Sequence, residues 1–326
     1  MSSTKPRMLA TAPLRGPGLD VLAELGELIV DPWIEQRPLR IYSSDQLASR
    51  AASEGATILI VEADSCKGRV LELPLTAIAS CRGEPTNVDV KGATAARIPV
   101  LRAPGRNADA VAELVVGLLI SSTRFVIPAD RDVRSGQIYR DGTIPYQRFR
   151  GWQLAGRKAG LVGLGAVGRA LRWRLEGLGM EVISYDPYAE DATSSLEELI
   201  SESDVISMHA AVTPETAGMI SHAQFRAMKD GVVFLNAARA ELHDTDALVE
   251  ALQSGKVSAA GLDHFHGESL PADHPLSSMD NVVLTPHIGG ATYDTETNHT
   301  TMIAEGLKCL LAGKVPANLV NPEVLR

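Results

Sequence analysis

The run Gly163-Leu164-Gly165-Ala166-Val167-Gly168 lies between a β-rich segment, Lys158 to Val162, and a segment whose apolar residues recur at helical spacing, Val167, Leu171, Leu175 and Leu178. A glycine-rich turn from strand to helix constrains this chain more than any other feature. Gly163 permits the sharp turn, Gly165 lets backbone approach a ligand, and Gly168 lets the helix pack against the strand. The helix then offers the unpaired N–H groups of its first turn, around Ala166 and Val167, and the positive end of its dipole to an anion such as a pyrophosphate. Asp186 closes the next β-rich run, 21 residues beyond Gly165. That is near the ~20 expected of a carboxylate that accepts from the ribose hydroxyls of NAD and repels a 2′-phosphate. Pro187 and Tyr188 follow, so no arginine immediately adjoins it.

The rest of the chain repeats the same alternation. Met8–Ala12, Leu28–Val30, Thr57–Glu62, Thr76–Ser80 and Val100–Ala103 read as strands, with helices expected at Gly18–Leu25, Asp45–Glu54 and Asp89–Arg97. A second series of strands is expected at Lys158–Gly163, Glu181–Asp186, Asp204–His209, Val232–Asn236, Ala259–Asp263 and Val282–Thr285. Strands alternating with helices predict an α/β fold with parallel sheets covered on both faces, and two series predict two domains. A length of 326 residues is enough for each domain to bury a core.

Charge and cysteine usage exclude several classes. Thirty-one Lys and Arg against 40 Asp and Glu give a net charge of −9, unfavourable for general binding to nucleic acid or an anionic membrane. Cys66, Cys81 and Cys309 show no CxxC spacing, which points to reduced thiols rather than disulfides or a cysteine zinc site. The polar opening Met1–Met8 has no signal-peptide character, so a cytoplasmic location is expected. The longest apolar run, Leu114–Ile120, is too short to span a bilayer. It belongs to a segment, Asn107–Arg124, apolar on nearly every face. Such a helix is expected to be buried all round, either in the core or partly by a second subunit in a homodimer.

Several motifs, in order, give the chain a specific resemblance. They are Asn107 with Ala110-Val111-Ala112-Glu113, the Gly163–Gly168 turn, His209 with Thr213-Pro214-Glu215-Thr216, Asn236-Ala237-Ala238-Arg239, Gly261-Leu262-Asp263 with Glu268, and Thr285-Pro286-His287-Ile288-Gly289-Gly290. With these the chain resembles the D-isomer-specific 2-hydroxyacid dehydrogenases, which include D-3-phosphoglycerate dehydrogenase. The resemblance implies a Rossmann-type NAD-binding domain at residues 104–286, inserted into a flavodoxin-like substrate domain made of 1–103 and 287–326, with the active site in the cleft. It also implies NAD contacts at Gly163, Gly165, Ala166, Val167, Gly168, Asp186, His209, Thr213, Ala237, Asp263 and Gly289. Substrate contacts are implied at Gly83, Asn107 and Arg239.

Three of these residues carry the expected chemistry. Arg239 follows a strand at the C-terminal edge of a sheet, where its forked guanidinium can hold a substrate carboxylate and polarise a 2-oxo group. His287 can protonate the developing alkoxide during reduction and recover the proton during oxidation. Glu268 would orient the His287 imidazole and favour its charged form. The expected activity is hydride transfer between NAD and C2 of a small D-2-hydroxy or 2-oxo acid. A non-enzymatic NAD-sensing protein on the same fold is the alternative, disfavoured by the intact Arg–Glu–His set. The sequence departs from the family at Asp263-His264-Phe265-His266-Gly267-Glu268-Ser269, where His264 replaces an apolar residue and Ser269 a proline. His264, His266 and His274 have no evident carboxylate or cysteine partner, so no metal site is expected. The loop Ala63-Asp64-Ser65-Cys66 carries an acid where phosphoglycerate enzymes carry arginine, which argues against 3-phosphoglycerate.

Overall fold

The structure, a computed structural model, describes residues 5–325; residues 1–4 of the polar opening and Arg326 lie outside the described residues. The chain forms two compact units, one made of the residues up to Asn107 and those from Thr292 onward, the other of Ala108–Ala291.

In the first unit five strands, β1 (Arg7–Ala10), β2 (Glu27–Val30), β3 (Ile58–Val61), β4 (Ala77–Ser80) and β5 (Val100–Leu101), form a parallel sheet in the order β2-β1-β3-β4-β5. This is the flavodoxin-like order. Alternate side chains feed cores on opposite faces, as the two-residue period of a strand requires. Leu9, Leu59, Val61 and Ile78 point one way, and Met8, Ala10, Ile58, Ile60, Ala77 and Ala79 the other. The second face is covered by the helix Tyr293–Leu311 through Ile303, Ala304 and Leu307, so the end of the chain completes the core begun at the start. Asn321 accepts the Val100 N–H at 2.8 Å and Asn318 donates to the Arg102 carbonyl at 2.9 Å, tying the tail to the edge strand.

The second unit holds six strands, β6 (Lys158–Val162), β7 (Glu181–Tyr185), β8 (Val205–Met208), β9 (Val232–Asn236), β10 (Val257–Leu262) and β11 (Val282–Leu284). All are parallel, in the order β11-β10-β9-β8-β6-β7. The order reverses between β6 and β8, and ligands bind at such a switch point in doubly wound sheets. All the strands expected from the sequence form, with ends differing by a few residues.

The boundaries fall later than the expected 103/104 and 286/287. Gly289 and Ile288 donate to the Asp263 carboxylate and His287 to the Asp263 carbonyl, which holds the chain in the second unit as far as Ala291. The helix Ala108–Thr123 is also not buried all round. Val111, Ala112, Val115, Leu118, Leu119, Ser122 and Thr123 face the sheet, while Glu113, Gly117 and Ile120 are exposed. Within one chain it has a single packed stripe. It and the following helix Val126–Arg134 are bent by 66°, and no single helix among the described residues is long and apolar enough to cross a membrane.

Gly163 shows why the turn after β6 needs glycine. Its φ is +103°, and a Cβ there would lie 2.6 Å from the backbone of His209 and Ala210 at the end of β8. At Gly168 a Cβ would lie 2.3 Å from the Gly163 carbonyl oxygen. A Gly163→Ala variant should lose roughly 1–3 kcal/mol of stability or more, from backbone strain and this clash. Urea unfolding followed by circular dichroism will measure it; an unchanged midpoint would mean that β6 and β8 separate freely.

Candidate active site

At the C-terminal end of β6, the Gly165 Cα faces open space, so a Cβ there would meet nothing within 4 Å. Gly165 caps the helix Ala166–Gly177, whose first amides, Ala166, Val167 and Gly168, have no partner within the helix. This cradle fits a pyrophosphate. Asp186, half-buried just beyond β7, accepts from the Leu164 N–H at 2.7 Å through one oxygen and from the Tyr188 N–H at 2.9 Å through the other. It therefore also pins the glycine turn, while each oxygen keeps a free lone pair for a ribose hydroxyl. Arginines do lie nearby, from the helix rather than from the strand end. Arg169 grips Asp191 with contacts of 2.5 and 2.8 Å, and Arg172 bonds Asp191 at 3.2 Å and Ser184 at 2.7 Å. The Asp191 carboxyl is held down to about 2 by the hydrogen bond from Arg169. Both guanidiniums are thus engaged by a permanent anion.

The other residues expected at the cofactor follow the strands. His209, at the end of β8, bonds Ser207 at 2.8 Å, and burial pushes its pKa down to about 4, so the ring is neutral. Thr213 begins a turn closed by the Thr216 hydroxyl, which accepts the Thr213 N–H at 2.7 Å. Ala237 is buried directly after β9. In the first unit, Gly83 follows β4 in a loop held by the Ala103 N–H donating to the Arg82 carbonyl at 2.8 Å, and Asn107 is the last residue of that unit's first segment. Asp64 turns inward: it is fully buried and accepts the Tyr42 N–H at 2.6 Å, and burial raises its pKa. The acid that the sequence placed in the 63–66 loop is therefore a structural group. The absence of arginine in that loop stands.

Asp263, fully buried after β10, organises the second half of the site. One carboxylate oxygen accepts from the Thr285 hydroxyl at 2.7 Å and the Ile288 N–H at 2.9 Å, the other from the Gly289 N–H at 2.8 Å. Its carbonyl takes the His287 N–H at 2.9 Å. These bonds shape a turn in which His287 has φ +54°. Glu268 has φ +55° and follows Gly267, and its Oε1 lies 2.9 Å from His287 Nδ1. Two non-glycine residues in this conformation cost about 1–3 kcal/mol each. The pair they form is half-exposed and worth at most about 1 kcal/mol. The pair alone does not offset that strain; at His287 the bonds to Asp263 do.

Asn236, the last residue of β9, fixes Arg239. Its buried side chain accepts the Ala238 and Arg239 N–H groups at 3.0 and 3.3 Å and donates to the Arg239 carbonyl at 2.8 Å. The Arg239 guanidinium is exposed and spends one donor on the Ala238 carbonyl. His243 Nδ1 lies 3.0 Å from Asn236 Nδ2. Burial, then the neighbouring His266, lowers the His243 pKa to about 4. His243 was not among the residues the motif logic singled out, and Asn236 entered only as part of the motif that carries Arg239, because both serve by holding other protein groups. His264, the departure from the family pattern, packs against His287 with ring centroids 3.9 Å apart and the planes inclined at 50°. Burial, then the charges of His287 and Arg239, lowers its pKa to about 4.

Comparison with known proteins agrees with this geometry. The profile of the D-isomer specific 2-hydroxyacid dehydrogenase NAD binding domain matches residues 116–289. The glyoxylate reductase of Korarchaeum cryptofilum is 33% identical over 332 residues, 99% of this chain and 98% of that protein. The D-3-phosphoglycerate dehydrogenase of Methanocaldococcus jannaschii is 33% identical over 97% of this chain and 59% of its own length. The crystal structure of the TT0316 protein from Thermus thermophilus superposes with a TM-score of 0.81 at 35% identity, over 96% of this chain and 99% of the other. The chain belongs to the D-isomer specific 2-hydroxyacid dehydrogenase family. It is an oxidoreductase whose cofactor is NAD, acting by hydride transfer on a small 2-hydroxy or 2-oxo acid.

The buried His243 has a consequence for acid stability. Its folded pKa of about 4 lies below the unfolded reference of about 6.5. The unfolded chain thus binds the proton first, and stability falls as pH drops through the window from 6.5 to 4. Between pH 7.5 and 5 this group should cost on the order of 1–2 kcal/mol. Urea midpoints at the two pH values should therefore differ less in a His243→Gln variant than in the parent.

Proposed function

We propose that this chain is a reductase of small 2-oxo acids that uses Arg239, Glu268 and His287 as its catalytic set. The observation that carries the reading is the His287–Glu268 pair, 2.9 Å between Nδ1 and Oε1 on two strained backbones. The Gly163–Gly168 turn, Asp186, His209, Thr213, Ala237, Asp263 and Gly289 would hold NAD, which when bound would supply or accept the hydride at C2. Arg239 binds the substrate carboxylate and polarises the adjacent carbonyl. His287 delivers the proton to the alkoxide oxygen, while Glu268 keeps the ring turned to present its other nitrogen. Gly83 and Asn107 remain the substrate contacts proposed in the first unit. The similarity to a glyoxylate reductase supports a small substrate such as glyoxylate, pyruvate or hydroxypyruvate. NADH should serve far better than NADPH, because Asp186 faces the ribose and Asp191 occupies the nearest arginines.

Spectrophotometric oxidation of NADH with a panel of 2-oxo acids tests this reading. The parent should turn over at least one of the small 2-oxo acids. His287→Ala should lower kcat by roughly 10²–10⁴-fold, the range of general acid–base catalysis. A fully active His287→Ala enzyme would refute the assignment.

We also propose a homodimer. The exposed face of Ala108–Thr123 continues into an arm carrying Val126, Ile127, Val133, Tyr139, Tyr146 and Trp152, all 44–85% exposed. An apolar strip of this extent marks a contact surface. Light scattering should give twice the chain mass at micromolar concentration, and a monomer there would exclude the arm as a stable interface.

A further inference from the structure

We infer that His264, Glu268 and His287 form a binding site for a divalent transition metal such as Zn²⁺, and that occupation of this site shuts the enzyme off. One nitrogen from each histidine and one Glu268 oxygen all lie within 4.8 Å of one another. Two imidazoles and a carboxylate are a common three-ligand zinc set that leaves a fourth position for water. Ligand bonds of about 2.0–2.2 Å need donors roughly 3.3–3.6 Å apart, so His264 must close by up to about an ångström while the His287–Glu268 pair, 2.9 Å apart, opens slightly. The pieces are suited to that movement. His264 is buried at 5% exposure and provides a fixed donor. Glu268 and His287 have half-exposed side chains that can swing onto the metal.

The state of His264 supports the inference independently. Among the described residues neither of its ring nitrogens is hydrogen-bonded, so a ring nitrogen is available to a metal. His264 further lines an open cavity of about 610 Å³ with His243, His266 and His274. No ion is needed for the chemistry proposed above. Instead the metal takes the place of the proton between His287 and Glu268, so His287 no longer presents an imidazolium and its remaining N–H is a far weaker acid. The inhibition therefore rests on the proposed role of His287, whereas the binding site does not.

Calorimetric titration of the chelator-stripped full-length protein with ZnCl₂ tests the site without turnover. One Zn²⁺ per chain is expected, with affinity at least about tenfold weaker in His264→Phe and His264→Gln. Replacing Cys66, Cys81 and Cys309 by serine should leave it unchanged. NADH oxidation, measured against each protein's own metal-free rate, should fall with Zn²⁺ in the parent and recover with EDTA. In the His264 variants the inhibition curve should shift to higher Zn²⁺ by the same factor as the affinity. The site is refuted if the parent binds no Zn²⁺ at submillimolar concentration, if both folded His264 variants bind like the parent, or if the cysteine replacements abolish binding. Zn²⁺ that binds through His264 without slowing turnover would refute the inhibition alone.

Discussion

The buried carboxylate of Asp263 is the constraint on which the catalytic half of the site depends. Three donors from Thr285, Ile288 and Gly289 converge on it, and its carbonyl takes the His287 N–H. An unpaired charge at zero exposure would cost several kcal/mol, so the turn after β11 must keep delivering these donors. That requirement forces the chain through a left-handed conformation at His287 and brings its ring to Glu268. The proposed acid is thus placed by its backbone, and only its tip is left to interact with ligands. Asn236 does the same for Arg239, by holding the two amides and the carbonyl of the turn that carries it.

Burial sorts the histidines around this centre. His209, His243 and His264 are each held neutral, with pKa values near 4, chiefly because leaving water disfavours the charged ring. His287 is half-exposed and paired with a carboxylate instead. Similar side chains are therefore held differently: buried and neutral at three positions, half-exposed beside a carboxylate at His287. The cofactor end follows a comparable logic with charge. Asp186 points its remaining lone pairs outward while Asp191 engages the two nearest guanidiniums, so an incoming ribose meets an acceptor and an added phosphate meets no free cation.

Much of this was legible in the sequence. A glycine turn between a β-rich run and a helical run, an acid 21 residues beyond it and the alternation of strand and helix fix the α/β class, the parallel sheets and the cofactor cradle. These features are local, or set by periodicity, and so survive without coordinates. The motifs around Arg239, Glu268 and His287 likewise suggested the chemistry proposed for them. Tertiary structure alone decided how those groups are held. The inward turn of Asp64, the clamp at Asp263, the packing of His264 against His287 and the second face of the 108–123 helix all depend on partners distant in sequence. Burial is a property of the packed chain, and no spacing rule says whether an acid faces water or an amide. For that reason the sequence determined which chemistry this protein could carry. Only the packed structure decided which of its acids and histidines are buried supports and which are left free to meet a ligand.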